Sequence, residues 1–171
     1  TTAFEQAVQY AEGVTLPPLI VRVAPSVIGL RRQLLQLIPS GRELAAVPGG
    51  KGCAANQVYY SLSERGVEFD LLPWQQLHQM PLMAYSPIDQ GRLVDHPGLR
   101  AVAENHRATP AQVALAWLLR QTGVMAIPKA LRAVHLRHNW AARELLLDDA
   151  DLAQLHRLFP PTRQKRPLAV R

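Results

Sequence analysis

From Gly41 onward, short apolar segments alternate with longer helical patterns, and this rhythm constrains the fold more than any other property of the chain. Alternation of that kind builds β/α units around a parallel sheet, because parallel strands need a crossover long enough to hold a helix. Residues Ala54 to Tyr60 read as a buried strand, Leu72 to Met80 as a helix and Pro81 to Tyr85 as a second strand. Helices are expected over Pro97 to His106 and from Thr109-Pro110 to Arg120, where threonine suits the N-cap and proline the first helical position. Gly123 stops the second of these, and Val124 to Ile127 is the third strand. Ala133 to Ala142 and Asp148 to Phe159 are the last helices, the latter opening on aspartates that favour the helix dipole and closing at Pro160-Pro161.

Three strands, each followed by helical material, can form one side of a (β/α)8 barrel and cannot close one. The expected class is therefore α/β, a partial (β/α)8 TIM barrel of about three units. Functional residues of such barrels gather at the C-terminal ends of the strands. Gln57, Tyr85 and Lys129 fall at those ends. Before Gly41 the pattern is poor: Pro17, Pro18 and Pro25 interrupt the β-branched stretch 14–29, and 30–38 is an apolar, arginine-containing run suited to a helix. Residues 1–40 are read as an atypical N-terminal segment and 41–171 as the ordered part.

A chain of 171 residues normally forms one domain, and 48% hydrophobic content supplies a sizeable core. The longest apolar stretches, such as Val113 to Leu119, are too short to span a bilayer, and Thr1 to Gly13 lacks the charged start and apolar run of a secretory signal. No membrane partner is expected. A single cysteine, Cys53, forms no internal disulfide and offers no thiolate cluster for a metal, which fits a reducing cytoplasm. Nineteen basic against thirteen acidic residues leave a charge of +6, a surplus that favours phosphate-bearing partners. Much of it sits in the tail at Arg163, Lys165, Arg166 and Arg171, and 6% aromatic content supplies little stacking surface for nucleic acid. His135 and His138 lie three apart on one expected helix with no carboxylate or cysteine to complete a ligand set, so a solvated face is expected there rather than a metal.

The run Ala126-Ile127-Pro128-Lys129, with Asn139 ten residues beyond the lysine, is suited to aim a cation at an anionic ligand from the end of a strand. It stands in order with Ala55-Asn56-Gln57-Val58-Tyr59-Tyr60, Ala84-Tyr85-Ser86-Pro87-Ile88 and Thr109-Pro110-Ala111-Gln112-Val113-Ala114-Leu115-Ala116-Trp117. On these stretches the chain from Gly41 resembles the second half of the aldo-keto reductases, NADP(H)-dependent (β/α)8-barrel enzymes that reduce aldehydes and ketones. The resemblance implies that Gln57 bonds the nicotinamide carboxamide and that Tyr85 stacks on the nicotinamide ring. Ser86, Pro87, Ile88 and Gln90 match the loop over the pyrophosphate, where backbone and short polar groups meet phosphate oxygens. Pro128 and Lys129 match the adenosine phosphate pocket, with His135 at its edge, and Asn139 matches the asparagine that contacts adenine. Two positions depart from the family pattern: Ala130 offers no hydroxyl where serine or threonine is common, and His135 stands where arginine is frequent. NADP(H) remains the expected cofactor with a reduced margin over NAD(H), and Arg132 or Arg137 is a candidate to supply the missing charge.

The family's catalytic tyrosine, aspartate, lysine and histidine come from the first four strands, and no position of this chain matches them. Tyr10 stands in Gln9-Tyr10-Ala11-Glu12 without those partners and receives no role. The chain alone is expected to be inactive, the alternative being a non-catalytic nucleotide-binding protein or one that pairs with a complementary half-barrel. A family Gly-Val-Ser-Asn-Phe motif is also missing, and Leu30-Arg31-Arg32-Gln33-Leu34-Leu35-Gln36 stands in its place, just before Arg42 to Gly50, which matches well. Arg-Arg-Gln codons such as CGG-CGT-CAG contain GGC-GTC-AGC, for Gly-Val-Ser, in a shifted frame. Residues of about 9 to 40 are therefore expected to be read out of frame, which translation in all three frames decides. Absent barrel strands should leave two unpaired sheet edges and an exposed apolar face that favour association.

Overall fold

The computed structural model describes residues 55–169. Tyr10, Cys53, Ala54, Arg171, the helix expected over 30–38 and the segment Arg42 to Gly50 lie outside the described residues. Strands β1 (Asn56–Tyr59), β2 (Leu82–Tyr85) and β3 (Val124–Ala126) form one parallel sheet in the order β1-β2-β3. Helix α1 (Leu71–Leu77) connects the first pair, and α2 (Pro97–Asn105) and α3 (Pro110–Leu119) connect the second. After β3 come α4 (Ala133–Ala141) and α5 (Asp149–Leu158). Within the described sheet β2 is central, and β1 and β3 each have one described neighbour.

Differences from the expected boundaries have local causes. Pro81 has no N–H to give the ladder, so β2 begins one residue later, although the Pro81 carbonyl still accepts from the Asn56 N–H at 3.0 Å. Helix α1 stops at Leu77 instead of reaching Met80 because Gln79 turns into the left-handed region at φ 53° and the Met80 N–H returns to the Gln75 carbonyl at 2.9 Å. Ile127 follows β3, yet its N–H donates to the Ala84 carbonyl at 3.1 Å, so sheet bonding reaches the expected residue.

The period of two separates the faces of the sheet. Val58, Tyr60, Leu82, Ala84 and Val124 turn toward the helices and join a core with Leu71, Val102, Val113 and Trp117. Helix α3 is the centre of this core: Val113 to Leu118 are all buried, as befits a helix covered on every side. Its start follows the sequence signal, with Thr109 Oγ1 accepting from the Gln112 N–H at 3.3 Å and Gln112 Oε1 accepting from the Thr109 N–H at 3.0 Å. Thr109→Ala is expected to lower stability by about 1 kcal/mol in urea unfolding, and an unchanged midpoint would mean that packing alone holds this terminus. Among the described residues, no helix is long and apolar enough to cross a membrane.

Candidate functional site

Gln57 and Tyr59 on β1 stand opposite Met83 and Tyr85 on β2, so all four side chains leave the same face of the sheet, away from the helical core. Tyr85 closes β2, and its ring stacks on Tyr59 with centroids 5.7 Å apart and planes 24° from parallel. The backbone then enters an unusual path. Ser86, Asp89, Gln90 and Gly91 have φ values of 49°, 49°, 54° and 94°, all left-handed. Each such non-glycine residue costs roughly 1 kcal/mol or more, and conformations of this kind persist only where the surroundings over-determine them.

The surroundings here are specific. Asp89 is only 6% exposed; its Oδ1 accepts from the Tyr59 hydroxyl at 2.6 Å and its Oδ2 from the Ser63 hydroxyl at 3.0 Å. The Asp89 N–H donates to the Ser86 carbonyl and the Gly91 N–H to the Ile88 carbonyl, both at 2.9 Å. Residues 86–91 thus form a tight strap across the carboxyl end of β2. The Asp89 and Gly91 N–H groups are thus used within the strap itself.

At the end of β3 the chain passes through Pro128 to Lys129, which is exposed. The segment 127–143 carries Lys129, Arg132, Arg137 and Arg143 and no carboxylate. Among the described residues, Arg143 alone of these four makes an ion pair, with Glu144 at 3.3 Å. Helix α4 buries none of its residues, so its side chains remain available to solvent or a ligand. His135 and Asn139, four apart, share one face of α4, and Arg132 at its N-cap lies one turn before His135 on that side. Arg137, two residues from each, points elsewhere. Among the described residues, no group of three or more His, Cys, Asp or Glu is placed to hold a metal.

Tyr85, Ser86, Pro87, Ile88 and Gln90 thus stand at the carboxyl end of β2, and Pro128 and Lys129 just beyond the same end of β3. Gln57, expected at a strand end, is instead the second residue of β1 and lies opposite Met83, on the face that Tyr85 shares but two residues short of the end. His135 and Asn139 follow on α4. A cavity of about 300 Å³ lies elsewhere, between Leu62–Arg65 and the segment after α5, and contains none of these residues. Its one buried charge, Arg65, is already bonded to Glu68 and the Phe159 carbonyl. Sequence reasoning passed over Tyr59, Ser63 and Asp89. Alternation from Gln57 would have placed Tyr59 on the same face, whereas Asp89 carries no local signal that separates it from an ordinary turn aspartate.

The family model described as aldo/keto reductase family matches residues 43–159. Methylglyoxal reductase YeaE of Escherichia coli (strain K12) is 46% identical over 132 residues, covering 74% of this chain and 46% of that protein. Methylglyoxal reductase DkgB of Yersinia pestis is 32% identical over 114 residues, 66% of this chain and 41% of that one. The crystal structure of an aldo-keto reductase from Klebsiella pneumoniae in complex with NADPH matches with a TM-score of 0.72 at 44% identity, covering 76% of this chain and 48% of that chain. The chain spans about half the length of these relatives. The matched residues contain the whole described sheet, the strap and the basic segment, and on these grounds the chain belongs to the aldo/keto reductase family.

Proposed function

We propose that residues 41–171 are the cofactor-holding C-terminal part of a (β/α)8 barrel and that this part binds NADP(H) for the reduction of aldehydes or ketones. The observation that carries the reading is the gathering of Tyr85, the strained strap 86–91 and Lys129 at and just beyond the carboxyl ends of two adjacent parallel strands, with Gln57 inside β1 on the sheet face that Tyr85 shares. The Klebsiella relative, 44% identical, binds NADPH. The residues present fit such a ligand. Gln57 both donates and accepts, as a carboxamide requires, and Tyr85 is an aromatic face backed by Tyr59. The strap would lie over a pyrophosphate, with the Ser86 hydroxyl and the Gln90 amide as its short polar groups, and the carboxylate-free segment 127–143 offers a positive surface to a 2′-phosphate. Ala130 and His135 weaken that last contact, and the shared face of α4 favours Arg132 over Arg137 as the compensating cation.

Bound NADPH supplies the hydride, and this chain's residues hold and orient it. The residues that would deliver a proton to the carbonyl oxygen have no matching positions among these 171, so turnover needs a polypeptide that adds the complementary strands. Among the described residues β1 and β3 are the outer strands of the sheet, and the complementary strands would continue the barrel from there.

Titration of the chain with NADPH, followed by tryptophan fluorescence, tests the reading. Saturable quenching is expected, with weaker binding of NADH, and Lys129→Met should weaken NADPH about tenfold while changing NADH far less. Equal losses for the two would remove Lys129 from the 2′-phosphate, and no binding of either by the unaltered chain would overturn the cofactor assignment. Carbonyl reduction by the chain alone would contradict its need for complementary strands.

A further inference from the structure

We infer that Asp89 is a positioning residue, the centre of a buried clasp with Tyr59 and Ser63 that sets the 86–91 strap and the Tyr85 ring in place before any cofactor arrives. This rests on the cofactor reading above for its purpose, but the clasp itself is defined by contacts within the chain. Both carboxylate oxygens of Asp89 are engaged, one by the Tyr59 hydroxyl at 2.6 Å and the other by the Ser63 hydroxyl at 3.0 Å. Bonds to a buried carboxylate are among the stronger polar contacts a protein makes.

The clasp answers a local energetic problem. Asp89 and Gln90 are consecutive non-glycine residues in left-handed conformations, and a chain free to relax would leave them. Asp89 is itself among the residue types that tolerate such a conformation, and its side chain reaches residues 30 and 26 positions earlier on β1 and the turn after it. Tyr59 then does two things with one side chain. Its hydroxyl holds the strap, and its ring backs Tyr85. The strap proposed for the pyrophosphate and the ring proposed for the nicotinamide are thereby set by one group, which lowers the ordering cost of binding.

Charge points the same way. A carboxylate beneath a strap that receives an anion opposes that anion by Coulomb repulsion, so Asp89 serves the site through geometry and not through its charge. Asp89→Asn removes the charge and keeps an oxygen for the Tyr59 hydroxyl, which separates the two effects.

The test uses the full chain with Asp89→Ala, Asp89→Asn, Tyr59→Phe and the Ala–Phe double variant. Amide hydrogen exchange is read at positions 89 and 91 without ligand, and NADPH affinity by tryptophan fluorescence. Asp89→Ala and Tyr59→Phe are expected to speed exchange at both positions about tenfold and to weaken NADPH about tenfold, while the amides of Val113 to Leu118 stay protected and report an intact core. Asp89→Asn should keep the exchange rates close to those of the unaltered chain and bind NADPH at least as tightly, since the opposing charge is gone, and the double variant should lose little more than either single one. Unchanged exchange in Asp89→Ala would overturn the inference, as would tighter NADPH binding by Asp89→Ala or an Asp89→Asn variant as impaired as Asp89→Ala. If the unaltered chain binds no NADPH, the cofactor reading has failed, and the exchange rates then decide whether the clasp holds the strap.

Discussion

Replacing Arg65 by methionine is expected to lower the stability of the folded chain by about 3–5 kcal/mol, the range for breaking a buried ion pair from one side. Arg65 is 6% exposed, and its Nε and Nη2 donate to the two oxygens of Glu68, both at 2.7 Å. Its Nη1 donates to the Phe159 carbonyl at 2.6 Å, and its guanidinium lies 4.9 Å from the centroid of the Trp117 ring. One side chain thus satisfies a carbonyl at the end of α5, covers the central tryptophan and neutralises Glu68. Methionine fills similar volume but leaves Glu68 without its counter-charge, with only the Tyr60 hydroxyl still donating to it, and the Phe159 carbonyl without the Arg65 donor. Arg65→Lys should recover only part of the loss, because an ammonium cannot reproduce a planar fork that reaches three acceptors. Combining Arg65→Met with Glu68→Leu should recover more, since no unpaired charge then remains. Urea unfolding of the three variants checks the order, and a loss below 1 kcal/mol for Arg65→Met would show that the network behaves like an exposed pair.

The elements that sequence reasoning located are those with local causes. Thr109-Pro110 announces α3 because both the capping hydroxyl and the proline act within the first turn, and Asp148 announces α5 in the same way, accepting from the Asp151 N–H at 2.8 Å. Gln57 and Tyr85 were legible because they stand in strand segments of recognisable order, Tyr85 closing β2 and Gln57 lying within β1. The short 3₁₀ segments Gly66–Glu68 and Asp89–Asp95 were not, since a single tight turn leaves no apolar period to read. Asp89 is held by partners 26 and 30 positions away, and Arg65, besides its neighbour Glu68, reaches the Phe159 carbonyl 94 positions away, so no window along the chain contains these contacts. Helix α4 shows the remaining gap. Its pattern identifies a helix, yet only the structure shows that it buries nothing and that Trp140, 49% exposed, is covered by Arg143 at 3.4 Å instead of by the core.

Alkaline unfolding should report on the same buried network through Tyr60. This residue is fully buried, and its hydroxyl donates to Glu68 Oε1 at 2.9 Å. Burial first, and then the charge and hydrogen bond of Glu68, hold its pKa well above the ordinary tyrosine value of 10.0, with Arg65 opposing in part. Below pH 10 the folded and unfolded chains both keep the phenol proton, and the contribution of Tyr60 to stability is complete. As the pH rises past 10 the unfolded chain releases that proton while the folded chain retains it, so stability falls by about 1.4 kcal/mol per pH unit. Tyr60→Phe keeps the edge-on ring contact with Trp117 but removes both the donor to Glu68 and the ionisation. At neutral pH the variant should be less stable by about 1 kcal/mol, the net worth of one hydrogen bond, since Glu68 Oε1 still accepts from Arg65 Nε. That gap should close above pH 10 and reverse by about pH 12, because the variant escapes the Tyr60 slope while all other titrating groups act on both proteins alike. Urea midpoints of the two proteins between pH 8 and pH 12 measure the crossing. A gap that stays constant across this range would mean that Tyr60 ionises as freely in the folded chain as in the unfolded one, and that the Tyr60–Glu68–Arg65 network is open to water.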